Sequence, residues 1–147
     1  MEGVDGKAES DNIERVLAKY GIFPDRVELW GTGRPLREFL WSEEMADASV
    51  YIMEKVDFAD LCKGQGPDIR NTHINIGTGV EHTIREVAQM VCRVVGFTGT
   101  VNFDASKPDG TLRKLTDVSK LHKLGWHHQV ELEEGIDRLY QWYLKNS

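Results

Sequence analysis

The feature that most constrains the fold is a well-marked amphipathic helix in the second half of the chain. Thr83 and Glu86 have the spacing of a capping box, in which each side chain bonds the backbone amide of the other residue at a helix start. Gly96 follows as a typical helix end. Strand-like segments flank the helix at residues 73–77 and 100–103. The apolar stripe between the two helix ends consists of Ile84, Val87, Ala88, Val91, Val94 and Val95.

Weaker patterns predict the remaining elements. A polar lead-in and a short helix precede Gly21, and a strand over residues 27–30 runs into a Gly-Thr-Gly turn. Ser42 is expected to cap a second helix, a short helix is expected over residues 117–124, and a last helix over residues 132–144. We expect the last helix to pack Ile136, Leu139, Tyr140, Tyr143 and Leu144 inward.

Strands and helices therefore alternate loosely, which predicts a mixed α/β chain, α+β-like as an isolated lobe, with short strands and about four to five helices. The length of 147 residues corresponds to one ordinary domain. Hydrophobic residues make up 40% of the chain and charged residues 29%, which excludes disordered and fibrous classes.

The charge and the cysteines exclude several kinds of partner. A net charge of −6 provides no general attraction for nucleic acid or an anionic membrane, so any anion must meet a local basic site. Cys62 and Cys92 have no metal-binding or disulfide pattern, and no membrane span or signal peptide is visible. We expect a cytoplasmic protein with free thiols, no metal, no nucleic acid partner and no membrane attachment.

Two segments carry more specific information than their propensities. They are residues 30–40 (WGTGRPLREFL) and residues 103–115 (FDASKPDGTLRKL). Together with residues 75–79 and the helix start at residues 83–86, they resemble, in order, the C-terminal half of the GDP-L-fucose synthases, which are extended short-chain dehydrogenases/reductases. The resemblance covers residues 27–147.

The resemblance implies an epimerase and reductase that converts GDP-4-keto-6-deoxy-D-mannose to GDP-L-fucose with NADPH. It implies a C-terminal domain that holds the GDP-sugar, an N-terminal Rossmann domain that holds NADP and the catalytic groups, and a homodimeric full enzyme. We expect residues 1–26 to be a polar lead-in and short helix, possible as an insertion, and residues 27–147 to be the nucleotide-sugar-binding domain.

The family's substrate-binding residues match positions in both motifs. The resemblance assigns Trp30 and Asp109 to substrate contact, Arg37 to the pyrophosphate, and Arg113 and Lys114 to positive charge near the diphosphate. The residues alone leave plainer alternatives open. Trp30 is also typical of a core aromatic residue, Arg37 of a surface ion pair, and Asp109 of a turn.

The 147 residues contain no Gly-x-Gly-x-x-Gly segment, so we expect no cofactor site and no catalytic residue in this chain, which alone should be inactive. Tyr51 and Lys55 have the Tyr-x-x-x-Lys spacing of a reductase acid, but in the family that pair precedes the REFL segment. Tyr51 follows it, so we interpret the pair as a helix surface. Two alternatives remain: a non-catalytic nucleotide-sugar-binding or interaction module, and the same domain of another NDP-sugar epimerase or dehydratase.

Overall fold

The computed structural model describes residues 10–147, with side chains from residue 12 onward, and divides into two compact units. Unit 1 contains the described residues up to 36 and residues 82–113, and unit 2 contains residues 37–81 and 114–147. The first nine residues of the predicted lead-in lie outside the described residues. The predicted boundary at residue 27 stays a prediction.

Six helices and four short strands occur among the described residues, and the mixed α/β class is confirmed. In chain order the elements are α1 (Ser10–Ala18), β1 (Arg26–Trp30), β2 (Leu36–Arg37), α2 (Ser42–Lys55), α3 (Phe58–Cys62), β3 (His82–Thr83), α4 (Ile84–Val95), β4 (Thr100–Asp104), α5 (Ser119–Lys123) and α6 (Leu132–Asn146).

In unit 1, β1 and β4 form a parallel pair in which Trp30 lies opposite Asp104. Helix α4 connects back to this pair, and the predicted helix is confirmed with both of its ends. The Thr83 hydroxyl accepts the Glu86 amide at 3.1 Å, and the Glu86 carboxylate accepts the Thr83 amide at 2.7 Å. Gly96 ends the helix with a φ of 70°. The chain turns at the carboxyl ends of β1 and β4 then carry the two sequence motifs.

Unit 2 is built around a small core of Ala48, Leu121 and Trp126, against which Ile74 and Ile76 pack. Two polar contacts join α2 to the segment after α5. The Trp126 indole donates to Asp47 at 2.7 Å, and the Val130 amide donates to Glu44 at 3.0 Å. Because these contacts connect residues far apart in sequence, they fix the chain path that surrounds the core.

Several local predictions for unit 2 were wrong. Residues 73–77 form no strand, because the His73 carbonyl accepts a hydrogen bond from the Lys120 ammonium at 2.7 Å and no strand among residues 10–147 pairs with them. Trp41, rather than Ser42, is the residue before the first turn of α2, with extended backbone angles. Helix α3 was not predicted.

The predicted inward packing of α6 was also wrong for its last two turns, where Leu139, Tyr143 and Leu144 are exposed. Cys62 and Cys92 are free cysteines, as expected. Within residues 10–147, the structure has no helix with the length and apolar character needed to cross a membrane.

Replacing Leu121 by Ala should destabilise unit 2 strongly, because this side chain is 0% exposed and its loss leaves a cavity. We expect the free energy of unfolding to fall by about 2–5 kcal/mol, measured by urea denaturation. The control is Leu139→Ala, which removes the same atoms from an exposed site and should cost no more than about 0.5 kcal/mol. Equal losses for the two variants would contradict the assigned core.

Candidate functional site

The two motifs meet in unit 1, where the Gly-Thr-Gly turn after β1 binds the loop after β4. The Thr32 amide donates to Asp109 Oδ1 at 2.8 Å, and the Thr32 hydroxyl donates to Asp109 Oδ2 at 2.7 Å. One carboxylate thus bonds two donors of one residue that lies 77 positions away. Asp109 is therefore a long-range link rather than a local turn former.

Two glycines leave room for this arrangement. Gly31 has a φ of 81°, and a Cβ atom there would lie 2.2 Å from Asp109 Oδ1. Gly33 has a φ of 73°, and its Cβ atom would lie 2.4 Å from the Phe103 ring. Left-handed backbone and close approach both favour glycine. The Gly-Thr-Gly turn is consequently shaped to seat a carboxylate on one side and an aromatic ring on the other.

Arg85, in the first turn of α4, holds the same turn. Its guanidinium donates to the Thr32 carbonyl at 3.0 Å, and its backbone amide donates to the Gly33 carbonyl at 3.0 Å. The guanidinium also lies 4.0 Å from the centre of the Phe103 ring, in cation–π geometry. The helix that the sequence predicts best therefore fixes the turn that the motif supplies.

The electrostatics of this surface combine an ionised carboxylate with positive groups. Hydrogen bonds from the Thr32 side chain and backbone, together with the nearby Arg34, hold the pKa of Asp109 below its ordinary value. Lys107 Nζ lies 5.7 Å from the centre of the Trp30 ring. Trp30 is 75% exposed, so the core alternative for this residue is excluded.

The predicted residues are divided between the units. Trp30, Asp109 and Arg113 belong to unit 1, whereas Arg37 and Lys114 belong to unit 2. Trp30 directly precedes the turn at residues 31–33, and Asp109 bonds that turn through Thr32. Arg113 and Lys114 are exposed, and Arg37 is half-buried at the end of β2.

In unit 2, Glu38 plays a part similar to that of Asp109. Its Oε1 atom accepts the Gly79 amide at 2.6 Å, and its Oε2 atom accepts the Thr116 amide at 3.2 Å. Burial raises the pKa of Glu38, but the bonds from Gly79, Thr116 and Thr78 outweigh burial and lower it. Glu38 thereby fastens the chain directly after Arg37.

The sequence did not predict the roles of three further residues, which are Thr32 and Arg85 in unit 1 and Glu38 in unit 2. All three lie inside the quoted motifs, so the motifs themselves were the available signal. The Tyr51 hydroxyl donates to the Leu124 carbonyl at 2.7 Å, and the half-buried ring packs against the core. Tyr51 is therefore a packing residue rather than a free helix surface, and it is not arranged as an acid with the exposed Lys55.

The sequence matches a known protein family over half of its length. Residues 2–77 match the model of the NAD dependent epimerase/dehydratase family. The chain belongs to this family.

The relatives are consistent with the motifs. The chain is 54% identical over 124 residues to GDP-L-fucose synthase of Escherichia coli (strain K12), a match covering 84% of this chain and 37% of that protein. It is 47% identical to GDP-L-fucose synthase 1 of Arabidopsis thaliana, covering 83% of this chain and 34% of the relative. The resemblance to the GDP-L-fucose synthases is confirmed, and the chain spans well under half the length of these relatives.

Solved structures support the same fold. A GDP-6-OMe-4-keto-L-xylo-heptose reductase from C. jejuni superposes with a TM-score of 0.87 and is 44% identical, covering 95% of this chain and 40% of that chain. A GDP-L-fucose synthetase from Naegleria fowleri bound to NADP gives a TM-score of 0.65 at 26% identity, covering 82% of this chain and 35% of that one. The individual roles of Trp30, Arg37, Asp109, Arg113 and Lys114 stay predictions.

Replacing Gly31 by Ala should destabilise unit 1, because the new Cβ atom would collide with the Asp109 carboxylate in addition to straining the backbone. We expect a loss of about 2–4 kcal/mol in the free energy of unfolding.

The matched control is Gly96→Ala, since Gly96 has a φ of 70° and no atom within 4 Å of its Cβ position. This control should lose only the strain term of about 1–2 kcal/mol, measured by urea denaturation. If both variants lost the same amount, the close approach of Asp109 to the turn would be wrong.

Proposed function

We propose that this chain provides the nucleotide-sugar-binding part of a GDP-L-fucose synthase. In this proposal the whole enzyme converts GDP-4-keto-6-deoxy-D-mannose to GDP-L-fucose by epimerisation and NADPH-dependent reduction, in the cytoplasm and as a homodimer. The observation that carries the proposal is the 54% identity to a GDP-L-fucose synthase over a region that includes both motifs. The hydrogen bonds between the Thr32 turn and the Asp109 loop support the proposal, because they bring residues of both motifs together on one surface of unit 1.

Each side chain of this surface has chemistry that suits a nucleotide sugar. Trp30 is exposed and offers a flat apolar face and one N–H donor, beside the Lys107 ammonium. Ionised Asp109 accepts hydrogen bonds from sugar hydroxyls or from guanine N–H groups.

The basic residues account for the phosphates in this proposal. Arg37 presents a forked guanidinium, which can hold two pyrophosphate oxygens at once. Arg113 and Lys114 add positive charge near the diphosphate. A chain with a net charge of −6 needs such local groups to bind a dianion.

NADP would supply the hydride, but the described residues do not fit its pyrophosphate. A dinucleotide fingerprint needs glycine-rich turns with amides free for phosphate oxygens. The Thr32 amide is bound by Asp109, the Gly31 amide by the Asp104 carbonyl, and the Gly79 amide by Glu38. These three amides are thus already bonded within the chain. In our proposal, NADP is held by the Rossmann part of the enzyme, and the described residues bind only the sugar nucleotide.

A related GDP-sugar is the second candidate. The C. jejuni structure with a TM-score of 0.87 is a reductase of a GDP-linked 4-keto-heptose. A substrate with the same GDP group and a larger sugar would use the same residues around Asp109. The two candidates differ only in the sugar, so GDP recognition is common to both.

Substitution of Arg37 or of Trp30 should weaken the binding of GDP-mannose to the 147-residue chain, as measured by isothermal titration calorimetry. We expect Arg37→Ala to lose about 10- to 100-fold in affinity, because a charge-assisted bidentate contact disappears. Trp30→Ala should lose about 3- to 10-fold. Trp142→Ala, which removes another exposed tryptophan in α6, is the control and should bind normally.

The nucleotide is tested with UDP-glucose in the same titration. The proposal predicts clearly weaker binding than for GDP-mannose, and equal affinities would contradict the assignment to GDP-sugars. Normal binding by both the Arg37 and the Trp30 variants would place the ligand elsewhere on the chain.

The chain alone should not oxidise NADPH in the presence of GDP-4-keto-6-deoxy-D-mannose, because its two Gly-Thr-Gly turns lack the third glycine of the fingerprint and their Thr32 and Gly79 amides are bonded to carboxylates. Absorbance at the NADPH band should fall no faster than in a protein-free blank. Oxidation above that blank would contradict the proposal, because it would mean that this chain holds the cofactor after all.

A further inference from the structure

Thr32 is the residue at which three elements of unit 1 meet. Its amide and hydroxyl both donate to Asp109, and its carbonyl accepts the Arg85 guanidinium at 3.0 Å. The amide, the hydroxyl and the carbonyl of Thr32 are therefore all hydrogen-bonded, the first two to the loop after β4 and the third to α4.

We propose that Thr32 is a positioning residue for the nucleotide sugar: it fixes the plane of the Asp109 carboxylate, while Arg85 holds Thr32 through its backbone carbonyl. This inference rests on the proposed function, because Asp109 is the group that contacts the ligand. Thr32 acts through Asp109.

The geometry leaves a defined acceptor pair for the ligand. An ionised carboxylate has about four lone-pair sites, and Thr32 uses one site on each oxygen. Each oxygen keeps a further site on its outer edge, so the carboxylate presents two separate acceptors in a fixed plane. The matching ligand chemistry is a hydrogen-bond donor that approaches in that plane. GDP-mannose contains two donor pairs that can supply it, the N–H groups on the guanine edge and the neighbouring hydroxyls of the sugar.

A rotating carboxylate would not retain this match. Asp109 lies on an exposed loop without regular secondary structure, where a free side chain would lose rotamer freedom on binding a ligand. The two bonds from Thr32 restrict that freedom before the ligand arrives. Arg85 restricts Thr32 in turn, because its guanidinium is stacked on Phe103.

The same bonds govern how binding responds to pH. The Thr32 bonds lower the pKa of Asp109, and Arg34 acts in the same direction from the turn. From α4, Arg85 bonds the Thr32 carbonyl, and Lys107 and Arg113 are basic residues close to Asp109 along its own loop. Because the folded pKa is depressed, acceptor capacity is present above it and is lost as the pH falls through it. Removing the Thr32 hydroxyl should raise this pKa, so binding should fail at a higher pH.

The test compares Thr32→Val with Thr32→Ser in the 147-residue chain. Valine has nearly the shape of threonine without the hydroxyl, whereas serine keeps the donor. We expect Thr32→Val to bind GDP-mannose about 3- to 10-fold more weakly, with its acid limb shifted to higher pH, and Thr32→Ser to behave nearly as the wild type. Titration with GDP in place of GDP-mannose distinguishes the two donor pairs: an equal loss for both ligands assigns the guanine edge, and a loss confined to GDP-mannose assigns the sugar hydroxyls.

A second measurement needs no ligand. The carboxyl carbon of Asp109 is titrated by NMR in the wild type, Thr32→Val and Thr32→Ser. The apparent pKa should rise in the valine variant alone, which a general loss of stability would not produce.

Thr32→Val with an unchanged Asp109 titration would overturn the inference, as would unchanged affinity and an unchanged acid limb. If the wild type bound no GDP-mannose, the proposed function and the ligand role would both fail. The Asp109 titration would then show separately whether the Thr32 bonds hold the carboxylate.

Discussion

The pair of hydrogen bonds between Thr32 and Asp109 is the contact on which the rest of unit 1 depends. It joins two loops 77 residues apart, one after each strand of the parallel pair. This contact lies next to the two glycines of the turn and to exposed Trp30. It also lies next to Arg85, which bonds Thr32 and stacks on Phe103. Without the carboxylate, only the left-handed backbone at Gly31 would disfavour a side chain there.

Unit 2 uses the same physical device independently. Glu38 accepts the Gly79 amide and the Thr116 amide, and a Cβ atom at Gly77 would lie 2.5 Å from its carboxylate. In both units a carboxylate takes the amide of a glycine-containing turn, and its pKa falls as a result. The two Gly-Thr-Gly turns lack the third glycine of a dinucleotide fingerprint, and amides in both are bonded internally, which is why they are poor candidates for NADP.

The sequence could predict elements whose signals are local. Helix α4 was predicted correctly because Thr83, Glu86 and Gly96 act on backbone groups within one turn of themselves. The prediction of a strand at residues 73–77 was wrong, because a strand requires a partner strand. The His73 carbonyl instead accepts a hydrogen bond from the Lys120 ammonium. The prediction that the end of α6 is buried was wrong, because apolar spacing identifies an apolar stripe on a helix but not whether another surface covers it.

The candidate site divides in the same way. The motifs predicted Trp30 and Asp109 as site residues, but the sequence contained no indication that Thr32 would bond both oxygens of the Asp109 carboxylate. Such pairing depends on the register of β1 with β4, where Trp30 faces Asp104. Long-range geometry of this kind follows from the assembled strands and not from spacing along the chain.

The central claim is that the surface around the Thr32 turn binds a GDP-sugar. The most direct test is the ¹H–¹⁵N correlation spectrum of the chain during titration with GDP-mannose. The account predicts saturable shifts of the Trp30 indole and of the Thr32 and Gly31 amides, with Trp142 unaffected. Saturable shifts confined to other residues, or no shifts at millimolar ligand, would contradict it.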